Sequence, residues 1–290
     1  MTLRTSVAVL VMTIAASLLA SPVRAEESAA PASADDATEL AKKTQNPVAD
    51  LISVPFQNNL SFGLGPRDAT QWVMNVQPVI PIKLTDDWNL ITRTIIPIIA
   101  QGSPAPGIDN VGGIGDINPS LFLSPAGSKT LIWGVGPTMT FPTASDTQLG
   151  AGKYSAGPAA VALTMQGPWV VGALANNQWS FAGWGDTKVN ALLVQPFVNY
   201  NFGKGWYVVS APIVTANWVA SSGDKWTVPV GGGGGRLIRL KQLPGGDHLG
   251  KLGELPMNTQ VQAFYNAVKP DTDFAGDWQL RLQVQFLFPK

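Results

Sequence analysis

From residue 278 to residue 288 the chain alternates. Trp278, Leu280, Leu282, Val284, Phe286 and Phe288 take the even positions, with Gln279, Arg281, Gln283 and Gln285 between them. Successive side chains of a β-strand point to opposite faces, so this segment has one apolar and one polar face. That is the pattern of a strand with lipid on one side and a wet lumen on the other. Phe286 and Phe288, close to the C-terminus, also have the form of the signal that assembly machinery reads on bacterial outer-membrane barrels.

The alternation recurs. Ile52, Val54, Phe56, Leu60, Phe62 and Leu64 face away from Ser53, Gln57, Asn59 and Ser61, and Trp72, Met74, Val76, Ile80 and Ile82 oppose Gln71, Asn75, Gln77 and Lys83. Further strands are predicted at about 88–99, 116–124, 131–141, 154–164, 169–181, 189–202, 206–218, 226–238 and 257–268, before the last at 278–288. Short turns at 85–87, 125–129, 166–168 and 203–205 alternate with longer loops at 101–115, 144–153, 182–188, 221–225 and 269–276. The fold class is therefore all-β, a transmembrane antiparallel β-barrel of about twelve strands, with the short turns periplasmic and the long loops extracellular. Residues 241–256 fall on the short-turn side and read as an insertion.

Tryptophan sorts into two levels. Trp88, Trp133, Trp169 and Trp206 open strands just after short turns, whereas Trp72, Trp179, Trp218, Trp226 and Trp278 lie next to long loops. These are the expected membrane-interface girdles. Proline opposes the pattern: Pro55, Pro78, Pro97, Pro119, Pro137, Pro158, Pro196, Pro212 and Pro229 all sit inside predicted strands, where each removes a ladder donor. Their spacing from the short turns predicts a loose ring near mid-membrane, at bulges.

The N-terminus supplies an address. Arg4, the apolar stretch 7–20 and Val23-Arg24-Ala25 have the form of a cleaved secretory signal peptide over 1–25, and the stretch is shorter than the roughly 20 residues of a membrane helix. Residues 26–47 read as a periplasmic segment with a short helix at about 39–45, and 48–290 as the barrel. The expected location is the bacterial outer membrane.

Composition sharpens this. The chain is 45% hydrophobic but only 13% charged, where a soluble domain carries about 25% charged residues. Without Arg4 and Arg24, 17 of the 19 basic residues remain against 19 acidic ones, a net charge of −2 that offers nothing to nucleic acid. No cysteine is present, which excludes disulfides and thiolate chemistry.

Four segments, QNPVADLISVPFQNN at 45–59, WNLITRTIIP at 88–97, GDINP at 115–119 and TVPVG at 227–231, resemble a group of bacterial proteins labelled "neuromedin U". That group is similar to the outer-membrane proteins filed with the MetA pathway of phenol degradation. The resemblance runs from about residue 45 to the end, with the insertion at 241–256 as a departure. It implies a transmembrane barrel and transport of aromatic or other hydrophobic compounds, and carries over no functional residues.

Chemistry for catalysis is missing. The single histidine, His248, lies among glycines in the insertion, away from any nucleophile or fellow ligand. Gly150 to Lys153 lacks the first glycine and the Ser/Thr of a phosphate loop. Gly231 to Gly235 read as a place where strands bend and pack closely. Asp109, Asn110 and Asp116, or Asp271 and Asp273, have oxygens for Ca²⁺ but not the calcium-loop spacing. No enzyme activity, metal or cofactor is expected.

The inward face is the informative one. Alternation places Arg93, Asp116, Asn118, Gln195, Asn199, Arg281, Gln283 and Gln285 in the lumen among further amides, with Arg93 and Arg281, partnered by Asp116, as constriction candidates. Such a lumen suits passive, selective passage of a small molecule; alternatively the amides interlock and plug a narrow barrel. A closed structural or adhesive barrel acting through its extracellular loops is the competing function. The partners expected are outer-membrane lipid, the assembly machinery and a small-molecule solute.

Overall fold

The computed structural model describes residues 34–127, 130–186, 188–270 and 275–288. The expected signal peptide, and Asp271 and Asp273, lie outside the described residues. One helix, α1 (Ala34–Thr44), precedes the strands. The first half of the wall comprises β1 (Ile52–Leu64), β2 (Ala69–Val76), β3 (Val79–Lys83), β4 (Trp88–Gln101), β5 (Val111–Ile114), β6 (Asn118–Pro125), β7 (Ile132–Thr140) and β8 (Lys153–Gln166). The second half comprises β9 (Trp169–Gly183), β10 (Asn190–Gly203), β11 (Trp206–Ser210), β12 (Val214–Asn217), β13 (Trp226–Arg239), β14 (Pro256–Val268) and β15 (Trp278–Phe288).

Every strand pairs antiparallel with its neighbours, and β15 closes on β1 from Ile52↔Phe288 to Phe62↔Trp278. Three staves are interrupted: β2 and β3 part at Gln77-Pro78, β5 and β6 at 115–117 just before Pro119, and β11 and β12 at Ala211-Pro212-Ile213. Fifteen strands thus make the twelve staves of a closed barrel.

The interruptions give the prolines a physical account. A proline has no N–H, so its neighbour's carbonyl loses a donor and the ladder opens. The pairing of β13 with β14 shifts at Val228/Pro229, and the pairing of β8 with β9 skips Gly157 and Pro158 before resuming at Ala159↔Asn176. The prolines' own carbonyls stay in the ladder. Backbone amides of Gln77, Thr94 and Gly115 donate to the carbonyls of Pro55, Pro78 and Pro97 at 2.9, 3.1 and 2.9 Å. At Pro212 side chains bond the backbone: Ala211 N donates to Gln262 Oε1 at 3.0 Å, and Ala211 O accepts from Arg281 Nη1 at 2.7 Å.

Aromatic rings edge the outer wall. At the short-turn end Trp88 meets Trp133 with centroids 6.0 Å apart, Trp169 meets Tyr200 at 4.8 Å, and Arg236 lies 4.8 Å over Trp206. At the long-loop end Trp218 packs on Trp226 at 5.3 Å, Tyr265 on Trp278 at 5.1 Å, and Trp72 donates its indole N–H to Asn58 Oδ1 at 3.1 Å. Trp179 is exposed there, beside the tenth tryptophan, Trp184, which stacks near Tyr154. Phe286 packs edge-on against Phe56 at 6.0 Å and Phe288 stays exposed on the same face. Between the rims Ile80, Ile82, Leu121, Leu123, Val135, Val208 and Val230 point outward.

The N-terminal segment requires a correction. The helix spans Ala34–Thr44, longer than the expected 39–45, and the segment packs inside the barrel at the short-turn end instead of standing free below it. Ala37, Leu40 and Ala41 recur at helical spacing and form one apolar stripe, and Lys42 and Lys43 in the last turn suit the helix dipole. Asn46-Pro47 ends the helix, since a residue before proline disfavours the α conformation. Ala41 and Val48 are buried in the core cluster with Ile91, Phe122, Leu163, Phe197 and Tyr207. An apolar helical stripe needs apolar partners, so this end of the lumen cannot be lined by amides throughout.

The insertion between β13 and β14 forms short 3₁₀ turns, Leu240–Gln242 and then Gly246–Glu254, the latter broken by a kink at Gly250. Glu254 joins them to the wall through Lys241 Nζ at 2.7 Å and Arg239 Nη1 at 2.6 Å. Hydrogen bonding from Lys241, then from Arg239, holds the Glu254 carboxyl below its ordinary range.

Two outcomes are expected. A carboxyl whose folded pKa is depressed contributes stability above its unfolded pKa and loses it as pH falls through the folded one. Protection of the backbone amides across 241–254, taken relative to the intrinsic exchange rate at each pH, should therefore fall as the pH drops below the ordinary carboxylate range, and Glu254→Gln should give the same loss of protection at neutral pH. Gln262→Leu should leave the Ala211 amide without its partner and lower unfolding stability in detergent by about 1–3 kcal/mol, measured by guanidinium titration.

Candidate functional site

Above the N-terminal segment the lumen holds a cavity of about 140 Å³. Its floor is 43–51, the chain that leads from α1 into β1. Gln45 anchors this floor by exchanging amide bonds with Asn201 on β10, Nε2 to Oδ1 at 3.0 Å and Nδ2 to Oε1 at 3.2 Å. One wall is polar, with Gln57, Gln260, Gln283 and Gln285 from β1, β14 and β15. The opposite wall carries the apolar side chains, Leu174, Phe197, Tyr207 and Val209 from β9, β10 and β11, with Gln195 and Asn199 of β10 on either side of Phe197.

Arg281 makes the roof. It stands one step beyond the Gln57↔Gln283 pair, opposite Asn59, and is 1% exposed. Its Nε donates to Asn59 Oδ1 at 3.1 Å, its Nη1 reaches the Ala211 carbonyl, and its guanidinium lies 4.9 Å over the Phe264 ring. Nη2 has no protein partner, nor has Nε2 of Gln262 beside it. Among the described residues no carboxylate pairs with this buried guanidinium, so neutral dipoles and a ring face stabilise its charge.

The sequence-predicted residues divide. Arg93, Gln195, Asn199, Gln283 and Gln285 line the cavity together, and Arg281 stands over it. Arg93 Nη2 donates to Gln77 Oε1 at 2.6 Å, across the interruption between β2 and β3. Asn118 is placed differently: its Nδ2 donates to Met139 O at 2.6 Å and Thr140 Oγ1 at 2.9 Å, strapping β6 to β7 where the ladder has only two pairs. Asp116 does not partner either arginine. Its Oδ1 accepts from Ala144 N at 3.1 Å and its Oδ2 from Ala151 N at 2.8 Å, which fold the loop between β7 and β8 back against the lumen side of β5. A carboxylate so close to two loop amides is satisfied where it stands, and a Cβ on Gly150 would come within 2.4 Å of it.

Two features were not predicted. The apolar wall was missed because apolar residues were assigned outward, yet Phe197 and Val198, or Tyr207 and Val208, are apolar on both faces in succession. Such runs were the available signal of a buried inner face. The floor was missed because α1 was read without a surface to dock on. The glycine run behaves as expected: a Cβ on Gly235 would meet the Tyr207 ring at 2.4 Å, so these glycines leave room for Tyr207, whose hydroxyl donates to Asn258 Oδ1 at 2.9 Å.

The cavity thus rests on a segment tied to β10 through neutral amides, with the arginine layer one register step beyond its Gln57↔Gln283 pair. Asp116→Ala should release the loop between β7 and β8 by removing two charge-assisted bonds, each of about 1.5–3 kcal/mol, and proteolysis within 141–152 should become faster while the barrel stays folded.

No protein-family profile and no curated protein matches the sequence. Among solved structures, the crystal structure of the COG4313 outer membrane channel from Pseudomonas putida F1 aligns with a TM-score of 0.60 at 14% identity, over 82% of this chain and 94% of that one. The CymD monoaromatic hydrocarbon channel aligns with a TM-score of 0.43 at 9% identity, over 87% of this chain and 92% of that one. The first of these likenesses establishes the architecture: the chain folds as a transmembrane-type antiparallel barrel like that outer membrane channel.

Proposed function

We propose that the protein is a bacterial outer-membrane channel for passive, selective passage of small aromatic or otherwise hydrophobic molecules. The observation that carries this reading is the cavity on the barrel axis, with an amide wall facing an apolar one. A molecule with a ring and a polar group finds partners for both there. The barrel's likeness to a solved structure described as an outer membrane channel supports the same reading.

In this reading the short turns and α1 face the periplasm, the long loops face outward, and the signal peptide over 1–25 directs export. Lipid surrounds the wall between the two aromatic rims, and the assembly machinery reads Phe286 and Phe288. The machinery for catalysis is absent from the sequence, and passage needs no energy coupling.

One observation favours the competing reading of a closed barrel that works through its loops. The N-terminal segment fills the short-turn end, and Asp116 folds a loop in at the other. Single-channel recording of refolded protein in a planar bilayer separates the two. A channel should give discrete openings that a small aromatic solute blocks, and Arg93→Ala and Arg281→Ala should change their amplitude. Silence from the folded protein and from both variants would leave the closed barrel, and unchanged amplitude in both variants would remove the arginines from the path.

A further inference from the structure

The cavity carries charge of one sign only. Among the described residues that line it, Arg93 and Lys43 are basic and none is acidic, and the guanidinium above it, Arg281, has only neutral contacts. Arg93 uses one donor on the amide oxygen of Gln77. A guanidinium has five, so its remaining donors are left to whatever occupies the cavity. Gln195, Gln260 and Gln283 line the same space with no side-chain hydrogen bond among the described residues.

Size limits the occupant. A cavity of about 140 Å³ is close to the roughly 150 Å³ that accepts one benzene in an engineered protein core. One ring with a short substituent fits; a long acyl chain or a sugar pair does not. We propose that this cavity is a binding site for single-ring aromatic carboxylates, with the carboxylate on Arg93 and the ring against Phe197, Tyr207 and Leu174. The proposal rests on the channel reading for a route in and out, and it names the class of solute that the route selects.

The chemistry favours the anion over its neutral analogue. Arginine binds a carboxylate through charge-assisted and often paired hydrogen bonds, which are about twice as strong as neutral ones. Inside the barrel, with one side of the cavity apolar, the attraction is less screened than in water. An amide of the same shape presents one oxygen and no charge, and a cationic ring would be repelled.

The test is calorimetric titration of the full-length protein in detergent with benzoate and with benzamide at neutral pH, repeated on Arg93→Gln and Arg93→Lys. Benzoate should bind at least tenfold more tightly than benzamide. Arg93→Gln should erase the difference while benzamide binding persists, and Arg93→Lys should keep part of it. Equal binding of the two probes by wild-type protein, a preference intact in Arg93→Gln, or no binding of either by folded protein would each overturn the proposal. The wild-type comparison needs no variant to fold. Flux of both probes into proteoliposomes separates the two levels of inference: equal flux of the two would leave the channel and remove the anion site, while preferential binding without flux would leave the site and remove the channel.

Discussion

A wall that faces lipid has no water to complete its hydrogen bonds, so every backbone N–H and C=O in it needs a partner within the protein. The rest of this structure follows from how a chain with prolines along its staves meets that constraint. Closing the ladder into twelve staves satisfies most of the backbone. Where proline opens it, inward amides and Arg281 reach across the inner face and bond the wall. Gln262 and Arg281 serve Ala211, and Asn118 serves Met139. Polar side chains on the inner face therefore have two employments, and only those not needed by the backbone remain for a solute.

The division into a polar and an apolar wall has the same origin. The N-terminal segment must bury Ala41 and Val48, and the barrel supplies Phe122, Leu163, Phe197 and Tyr207 to receive them. The apolar surface then extends past the segment into the cavity, where Leu174 and Val209 continue it. One surface both docks the amphipathic helix and gives the cavity its hydrophobic face.

Much of the fold was legible because alternation is a local signal. The strand that closes the barrel shows it over eleven positions, from Trp278 to Phe288, and the interface tryptophans mark both ends of the wall. The site was legible in part. Gln195, Asn199, Gln283 and Gln285 alternate with apolar neighbours, so their side of the strand could be inferred, whereas Arg93 stands between Thr92 and Thr94 and was placed by counting along its strand. Asp116 could not be placed in the same way, because it sits where β5 and β6 part and period-2 counting stops. Nor could Phe197 and Tyr207, whose strands are apolar on both faces; only knowledge of what packs inside tells which ring turns inward. The role of Arg281 depends on Ala211, which is 70 residues away in sequence and two strands beyond its own neighbour in the sheet.

The seam has a consequence for biogenesis. Asn59 and Arg281 are separated by 222 residues, and their contact exists only once β15 has met β1. Joining such distant parts is slow, because the chain must surrender its freedom before the contact rewards it. The layer beside the cavity is thus built from β1 and β15, the two strands farthest apart in sequence. A chain without its closing strand leaves the Ala211 carbonyl without its guanidinium, so the arginine layer exists only in the closed barrel.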